Sequence, residues 1–200
     1  MLAGLWASRR LGIKMPVIHR IARIRTDETD TPSFVMLAVA AGVVGALAII
    51  GIDALVFSHS LPKELALVSS DEPIIGQIWR GALASLYGGI AEELLLRLGL
   101  LCLTALGLRA LFSRGRDGLG AGVFWTANIV TSVIFGLGHL PATAALVPLT
   151  PMIIVRSIVL NAIVGLGCGW LMWRRCLEAA IVCHFSADIV LHVLLPAFQI

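Results

Sequence analysis

Five long apolar runs dominate this 200-residue chain and restrict the folds open to it. They cover approximately residues 34–57, 74–112, 121–140, 152–173 and 177–195. A helix needs about 20 mostly apolar residues to cross a bilayer, whereas a barrel strand needs about 10 residues of alternating polarity. Only 14% of the residues are charged, against about 25% in a soluble domain. The sequence therefore predicts an all-α, polytopic transmembrane bundle of about five spans, with lipid as its main solvent.

The basic residues predict how the spans are oriented. The flank before the first run (1–33), the loop at 109–118 and the end of the fourth run are basic, whereas the connections at 58–73 and 141–151 are not. Because basic segments remain on the cytoplasmic side, five spans place all three basic regions there. We expect residues 1–33 to form a cytoplasmic flank that sets the topology, with an amphipathic surface helix at residues 1–25 as an alternative, and residues 34–200 to form one transmembrane domain. Basic residues beside a span favour anionic lipid, rather than nucleic acid, as their partner.

Ionisable residues inside the second run are the first sign of a functional site. Each charged side chain in the bilayer centre costs about 2.5–3.5 kcal/mol on insertion scales. Glu93 and Arg97 are four residues apart, so they share one helix face and can pair. Glu92 points about 100° away from Glu93 and lacks that partner, which suits a general acid or base. A structural ion network explains this cluster equally well when it is taken alone.

Two further polar clusters lie in the third and fifth runs. His139 follows Phe135 and two glycines, and alone it is more typical of an interfacial or core histidine than of a catalyst. His184 and Asp188 share a helix face that His192 continues, so they can bind a metal or donate hydrogen bonds to an oxyanion. A self-satisfied His–Asp pair is the alternative. One shared site explains three buried polar clusters in a small bundle more economically than three unrelated roles.

Several local features carry expectations of their own. Gly88 and Gly89 interrupt the second run, which is longer than one perpendicular span, and predict either a bend or the join between a short interfacial helix and the span. Asp53 lies near the end of the first run and is expected to be hydrated at the outer interface. Glu178 is expected to pair with Arg174 at the opposite boundary, because the two are four residues apart.

The three clusters occur in a recognisable order. They read Glu-Glu-x-x-x-Arg at 92–97, Phe-x-x-x-His at 135–139 and His-x-x-x-Asp at 184–188. This ordered set resembles the signature of the CPBP family of intramembrane proteases, which includes the type II CAAX prenyl endopeptidases and the bacterial Abi or bacteriocin-immunity proteins. The resemblance covers about residues 74–195. One departure is Asp188, which stands where many members have Asn, and an ionised Asp donates no hydrogen bond.

The resemblance implies an intramembrane endopeptidase in the bacterial inner membrane. Its substrate would be a membrane-bound peptide or protein, prenylated CAAX-type chains included. Glu92 would activate a water molecule, and His139 would help to hold that water and shuttle its proton. His184 and Asp188 would lie at the developing oxyanion.

The supporting residues and the cofactor follow from the same resemblance. Glu93 and Arg97 would form the supporting ion pair. The chain has no His-Glu-x-x-His motif of the zincin kind. A Glu and two His from three helices can nevertheless hold Zn²⁺ with an open position, so Glu92, His139 and His184 are the candidate zinc ligands and metal dependence stays open.

Two other classes of function remain alternatives. The first is a non-catalytic immunity, scaffold or binding protein that keeps the bundle without the chemistry. The second is a small transporter or proton relay in which Asp53, Glu92 and Asp188 line a path. The absence of paired repeats in the sequence weakens the transporter alternative.

Overall fold

The computed structural model describes residues 2–21, 34–58, 73–112 and 119–198. Within these ranges the chain is helical and contains no strand. Part of the predicted N-terminal flank and most of two polar connections, at 22–33, 59–72 and 113–118, lie outside the described residues. The division at residue 33 therefore stays a prediction.

The described residues form eight helices in a bundle. They are α1 (Leu2–Leu11), α2 (Pro16–Ile21), α3 (Val35–Phe57), α4 (Ile74–Phe112), α5 (Ala121–Gly138), α6 (Leu140–Ala144), α7 (Pro151–Arg174) and α8 (Leu177–Ala197). Five segments are long and apolar enough to cross a membrane: α3, α4, α5 with α6, α7 and α8. Their large exposed apolar side chains form the surface that lipid would cover. The predicted all-α bundle of five spans is confirmed.

Small residues allow the spans to approach closely. Helix α8 packs against α3, α4 and α7, while α7 also packs against α5. A Cβ added at Gly42 of α3 would collide with the backbone carbonyl of Cys183 on α8. A Cβ added at Gly136 of α5 would lie 2.5 Å from Ile158 Cα on α7. Close backbone contact at small residues supports helix association in lipid, where apolar surface alone gives little driving force.

Helix α4 passes through Gly88 and Gly89 without a break. It is one continuous helix of 39 residues, and its turns widen to π-helical hydrogen bonding at Gly88–Glu92 and Leu94–Leu101. Both glycines face α8: an added Cβ would lie 2.5 Å from Asp188 Oδ2 at Gly88, and 2.8 Å from Phe185 Cβ at Gly89. The pair therefore permits close approach to α8 and does not join two separate helices. π-Helical turns change the direction in which side chains point, and they often occur at functional sites.

The N-terminal helices dock onto one end of the bundle. Helix α1 packs against α4, with Gly4 directly against the Leu98 carbonyl, while Trp6 on the same helix is exposed. The buried Ala7 and Met15 belong to the hydrophobic core. One face of this predicted surface helix is thus covered by protein, and the other is free to meet lipid headgroups.

Glu178 bonds to the N-terminus of α2, whereas the sequence predicted that it would pair with Arg174. Its Oε1 accepts the backbone N–H groups of Val17 and Ile18, both at 2.9 Å, at the start of α2. The predicted Glu178–Arg174 pair is therefore wrong, and the Arg174 guanidinium lies over the Trp173 ring at 5.0 Å. The first amides of a helix have no partner within the helix, so a carboxylate at the N-terminus satisfies them. For Glu178 this interaction takes the place of a pair with Arg174.

The opposite end of the bundle contains a pair that the sequence did not predict. Arg156 donates from Nε to Asp53 Oδ1 at 2.7 Å and from Nη2 to Asp53 Oδ2 at 2.6 Å. Asp53 is 27% exposed, so part of its side chain remains accessible while the ion pair joins α3 to α7. The connection at 141–151 includes most of the short helix α6, and Thr150 then caps α7 by accepting the N–H of Ile153.

Candidate active site

A cavity of about 360 Å³ lies between the spans, and all five contribute to its lining. Its polar walls include Glu92 from α4, His139 from the end of α5, Asn161 from α7, and His184 and Asp188 from α8. The structure thus brings together four residues that the sequence singles out from three separate runs. A cavity of this volume, apolar over most of its wall with several polar side chains facing it, has room for water and for part of a substrate.

His184 is surrounded by carboxylates. Its Nδ1 lies 2.8 Å from Glu93 Oε1, which is hydrogen-bonding distance. Its Nε2 lies 3.8 Å from Glu92 Oε2 and 3.7 Å from Asp188 Oδ2. An ionised Glu93 can only accept, so Nδ1 carries a proton and Nε2 is the nitrogen that meets the cavity. A proton on Nε2 would be shared with the two other carboxylates.

Glu93 and Arg97 lie behind the cavity and are fully buried. Arg97 Nε is 3.3 Å from Glu93 Oε2, and Arg97 Nη2 donates to the Gly165 carbonyl of α7 at 2.9 Å. Such a pair is costly to bury and more costly to break, because either charge alone would be uncompensated. The ion pair therefore fixes the Glu93 carboxylate that holds His184.

His139 is oriented by its own helix. Its Nδ1 lies 2.9 Å from the Phe135 carbonyl, and because a carbonyl only accepts, Nδ1 is the donor and Nε2 of a neutral ring is left as an acceptor. The Phe135 ring meets His139 and His184 edge-on, with centroids 4.7 Å and 5.6 Å away. His139 also lines a second cavity of about 220 Å³ next to Arg156. It thus stands at the boundary between the two cavities.

The family model for type II CAAX prenyl endopeptidase Rce1-like proteins matches residues 74–190, more than half of the chain. The chain belongs to this Rce1-like family. The match runs from α4 into α8 and includes Glu92, His139, His184 and Asp188. The comparisons with curated proteins and with solved structures gave no match. Family membership and the five candidate spans together make the chain an integral membrane protein of an intramembrane protease family.

The zinc ligands expected for this Rce1-like chain do not form a compact group. Among the described residues, the three ligand atoms that come within 4.8 Å of one another belong to Glu93, Cys168 and His184. That trio does not suit a metal, since Glu93 and His184 already bond to each other and the Arg97 guanidinium would repel a second cation. Zinc held by Glu92, His139 and His184 stays an untested prediction, and no step below depends on it.

The sequence missed one residue of this Rce1-like site. Asn161 lines the cavity, and the signal that could have found it is a polar side chain in the middle of a mostly apolar run. The exposed His192 lies 3.8 Å from Asp188 at the rim, one turn further along the face that the sequence identified.

Outside the spans, burial raises the pKa of the Cys176 thiol to about 12, which keeps it protonated and makes it a poor nucleophile.

Proposed function

We propose that this chain is an intramembrane endopeptidase that hydrolyses a peptide bond in a membrane-bound peptide or protein, CAAX-type prenylated substrates included. The observation that supports this most strongly is the meeting of the Glu92 carboxylate with two imidazoles, those of His139 and His184, around one cavity among the spans. The Rce1-like family match supports the same class of reaction.

The first step would be attack by water. Glu92 takes a proton from a water molecule in the cavity, and the resulting hydroxide attacks the carbon of the scissile carbonyl. His139 Nε2 accepts a hydrogen bond from the same water, because its Nδ1 proton is committed to the Phe135 carbonyl. The proton then passes to the departing amine nitrogen, either directly from Glu92 or through His139. Proton transfer by a positioned side chain typically contributes about 10²–10⁴-fold in rate.

The negative charge that develops on the carbonyl oxygen requires stabilisation. A doubly protonated His184 would donate from Nε2, since its Nδ1 is held by Glu93. Asp188, 3.7 Å from the same nitrogen, orients His184 when ionised and donates to the oxyanion itself when protonated. The buried Arg97 keeps Glu93 in place from behind.

The same proposal includes an orientation in the bacterial inner membrane. The exposed basic residues Arg9 and Arg174 belong to the end of the bundle where α1 docks, and we place this end in the cytoplasm. Residues 139–150 would then face the opposite side. Leu146→Cys, at a position that is 75% exposed, should react with a membrane-impermeant maleimide in intact cells, and Arg9→Cys should react only after lysis. The four native cysteines are buried and give little background. The reverse labelling pattern would contradict this orientation.

The catalytic proposal is tested by reconstituting the purified chain in liposomes with a fluorescence-quenched, farnesylated peptide that ends in a CAAX sequence. We expect cleavage that protein-free liposomes do not give, with both fragments identified by mass spectrometry. The same peptide without its prenyl group tests whether the lipid is needed for recognition. Failure to cleave either peptide would count against the proposed activity on CAAX-type substrates.

A further inference from the structure

We propose that Asn161 is an additional catalytic residue, whose side-chain amide donates a hydrogen bond to the oxyanion formed during hydrolysis. This inference rests on the proposed function. Asn161 lies midway along α7 and lines the same cavity as Glu92, His184 and Asp188. It therefore faces the groups to which the reaction is assigned, from a helix that contributes no other polar side chain to this cavity among the described residues.

The Asn161 amide is held in a defined orientation. Its Nδ2 donates to the Ser157 carbonyl, one turn earlier on α7, at 2.8 Å. The Ser157 hydroxyl in turn donates to the Gly136 carbonyl at 3.1 Å, which joins α7 to the helix that ends at His139. An amide nitrogen carries two hydrogens, so the second one can donate a hydrogen bond to a group in the cavity. A donor fixed before the reaction stabilises a developing charge without the cost of reorganisation.

The charges around the cavity explain why a neutral donor is needed there. Glu92 and Asp188 only accept hydrogen bonds when they are ionised. His184 donates from Nε2 only with a second proton, and both carboxylates lie within 3.8 Å to share it. An oxyanion formed beside these groups would be repelled by any carboxylate that keeps its charge. The Asn161 amide donates whatever the protonation state of its neighbours.

The test compares Asn161→Ala and Asn161→Asp with the unaltered chain on the quenched farnesylated peptide. We expect kcat to fall about 10²-fold in Asn161→Ala with little change in KM, because the lost bond forms only in the transition state. Asn161→Asp keeps the shape but has no N–H to donate, so its kcat should be at least as low. Val159→Ala, at a lipid-facing position of the same helix, should keep the activity of the unaltered chain.

The outcomes separate this inference from the proposed function. A kcat in Asn161→Ala within about threefold of the unaltered chain, or a loss confined to KM, would overturn the role of Asn161 and leave the hydrolase intact. If both variants fail to fold, as judged by thermal unfolding in detergent, the amide is structural and the inference is again wrong. If the unaltered chain cleaves neither peptide while Val159→Ala and the unaltered chain are both folded, the proposed activity on CAAX-type substrates fails and this inference falls with it.

Discussion

Glu92→Gln is expected to lower the rate of peptide cleavage by about 10²–10⁴-fold, the contribution usual for a general base. The amide has nearly the shape of the carboxylate but cannot take a proton from water at neutral pH. Glu92 is also only partly buried and lines the cavity, so its exchange should disturb packing little. Initial rates on the quenched farnesylated peptide, measured in liposomes with equal amounts of folded protein, check this result.

The matched control for this variant lies on the same helix. Leu95 is 59% exposed on the lipid-facing side of α4, and Leu95→Ala should retain nearly all activity. Equal losses in both variants would show that α4 tolerates no substitution and would remove the support for a base. A Glu92→Gln rate close to that of the unaltered chain would mean that another group activates the water.

Arg97→Met is expected to destabilise the protein by about 3–5 kcal/mol, because it leaves a buried carboxylate without its cation. Arg97 and Glu93 are 1% and 0% exposed, so water cannot take over the lost interaction. The substitution also removes the hydrogen bond from Arg97 to the Gly165 carbonyl, which joins α4 to α7. The free energy of unfolding, from denaturant titration in detergent, measures the loss.

A second variant separates charge from shape at this position. In Glu93→Gln combined with Arg97→Met no unpaired charge remains, so much of the lost stability should return. Activity should not return, since the neutral amide introduced by Glu93→Gln cannot hold His184 as the native carboxylate does. An Arg97→Met protein that is as stable as the unaltered chain would show that the pair contributes nothing to the fold.

Hydropathy was sufficient to predict the spans because lipid requires long, continuous apolar helices. The boundaries predicted at 74–112 coincide with those of α4, and the other spans differ by a few residues. The candidate site could be identified for a related reason. Charged side chains are expensive in hydrocarbon, so those within the runs at 92–97 and 184–188 required an explanation beyond packing.

Contacts between distant parts of the chain could not be predicted in the same way. Spacing rules within one helix suggested Arg174 as the partner of Glu178, whereas the actual partners, Val17 and Ile18, are about 160 residues away in sequence. Asp53 and Arg156 are likewise brought together only by the packing of α3 against α7. Which helices become neighbours is decided by the whole bundle and not by any local pattern.

The two glycines of α4 and the Asn of α7 illustrate the same limit at the site. The sequence offered a bend or the join of two helices for this glycine pair, and the close contact with α8 appears only once the bundle is assembled. Asn161 carries no charge, so it costs less in lipid than an ionised side chain, and its place in the run gave less warning than Glu92 or Asp188 did. Its significance appears only when ionisable side chains from three other helices are found around the same cavity.

The proposed mechanism requires Glu92 to activate a water molecule that then attacks the scissile carbonyl. A single turnover of the reconstituted protein on the quenched farnesylated peptide in H₂¹⁸O, followed by mass spectrometry of the fragments, tests it most directly. We expect the newly formed carboxylate of the released fragment to contain one ¹⁸O atom, and Glu92→Gln to give almost no labelled product. Cleavage that leaves this carboxylate unlabelled, or labelled product formed equally fast by Glu92→Gln, would contradict it.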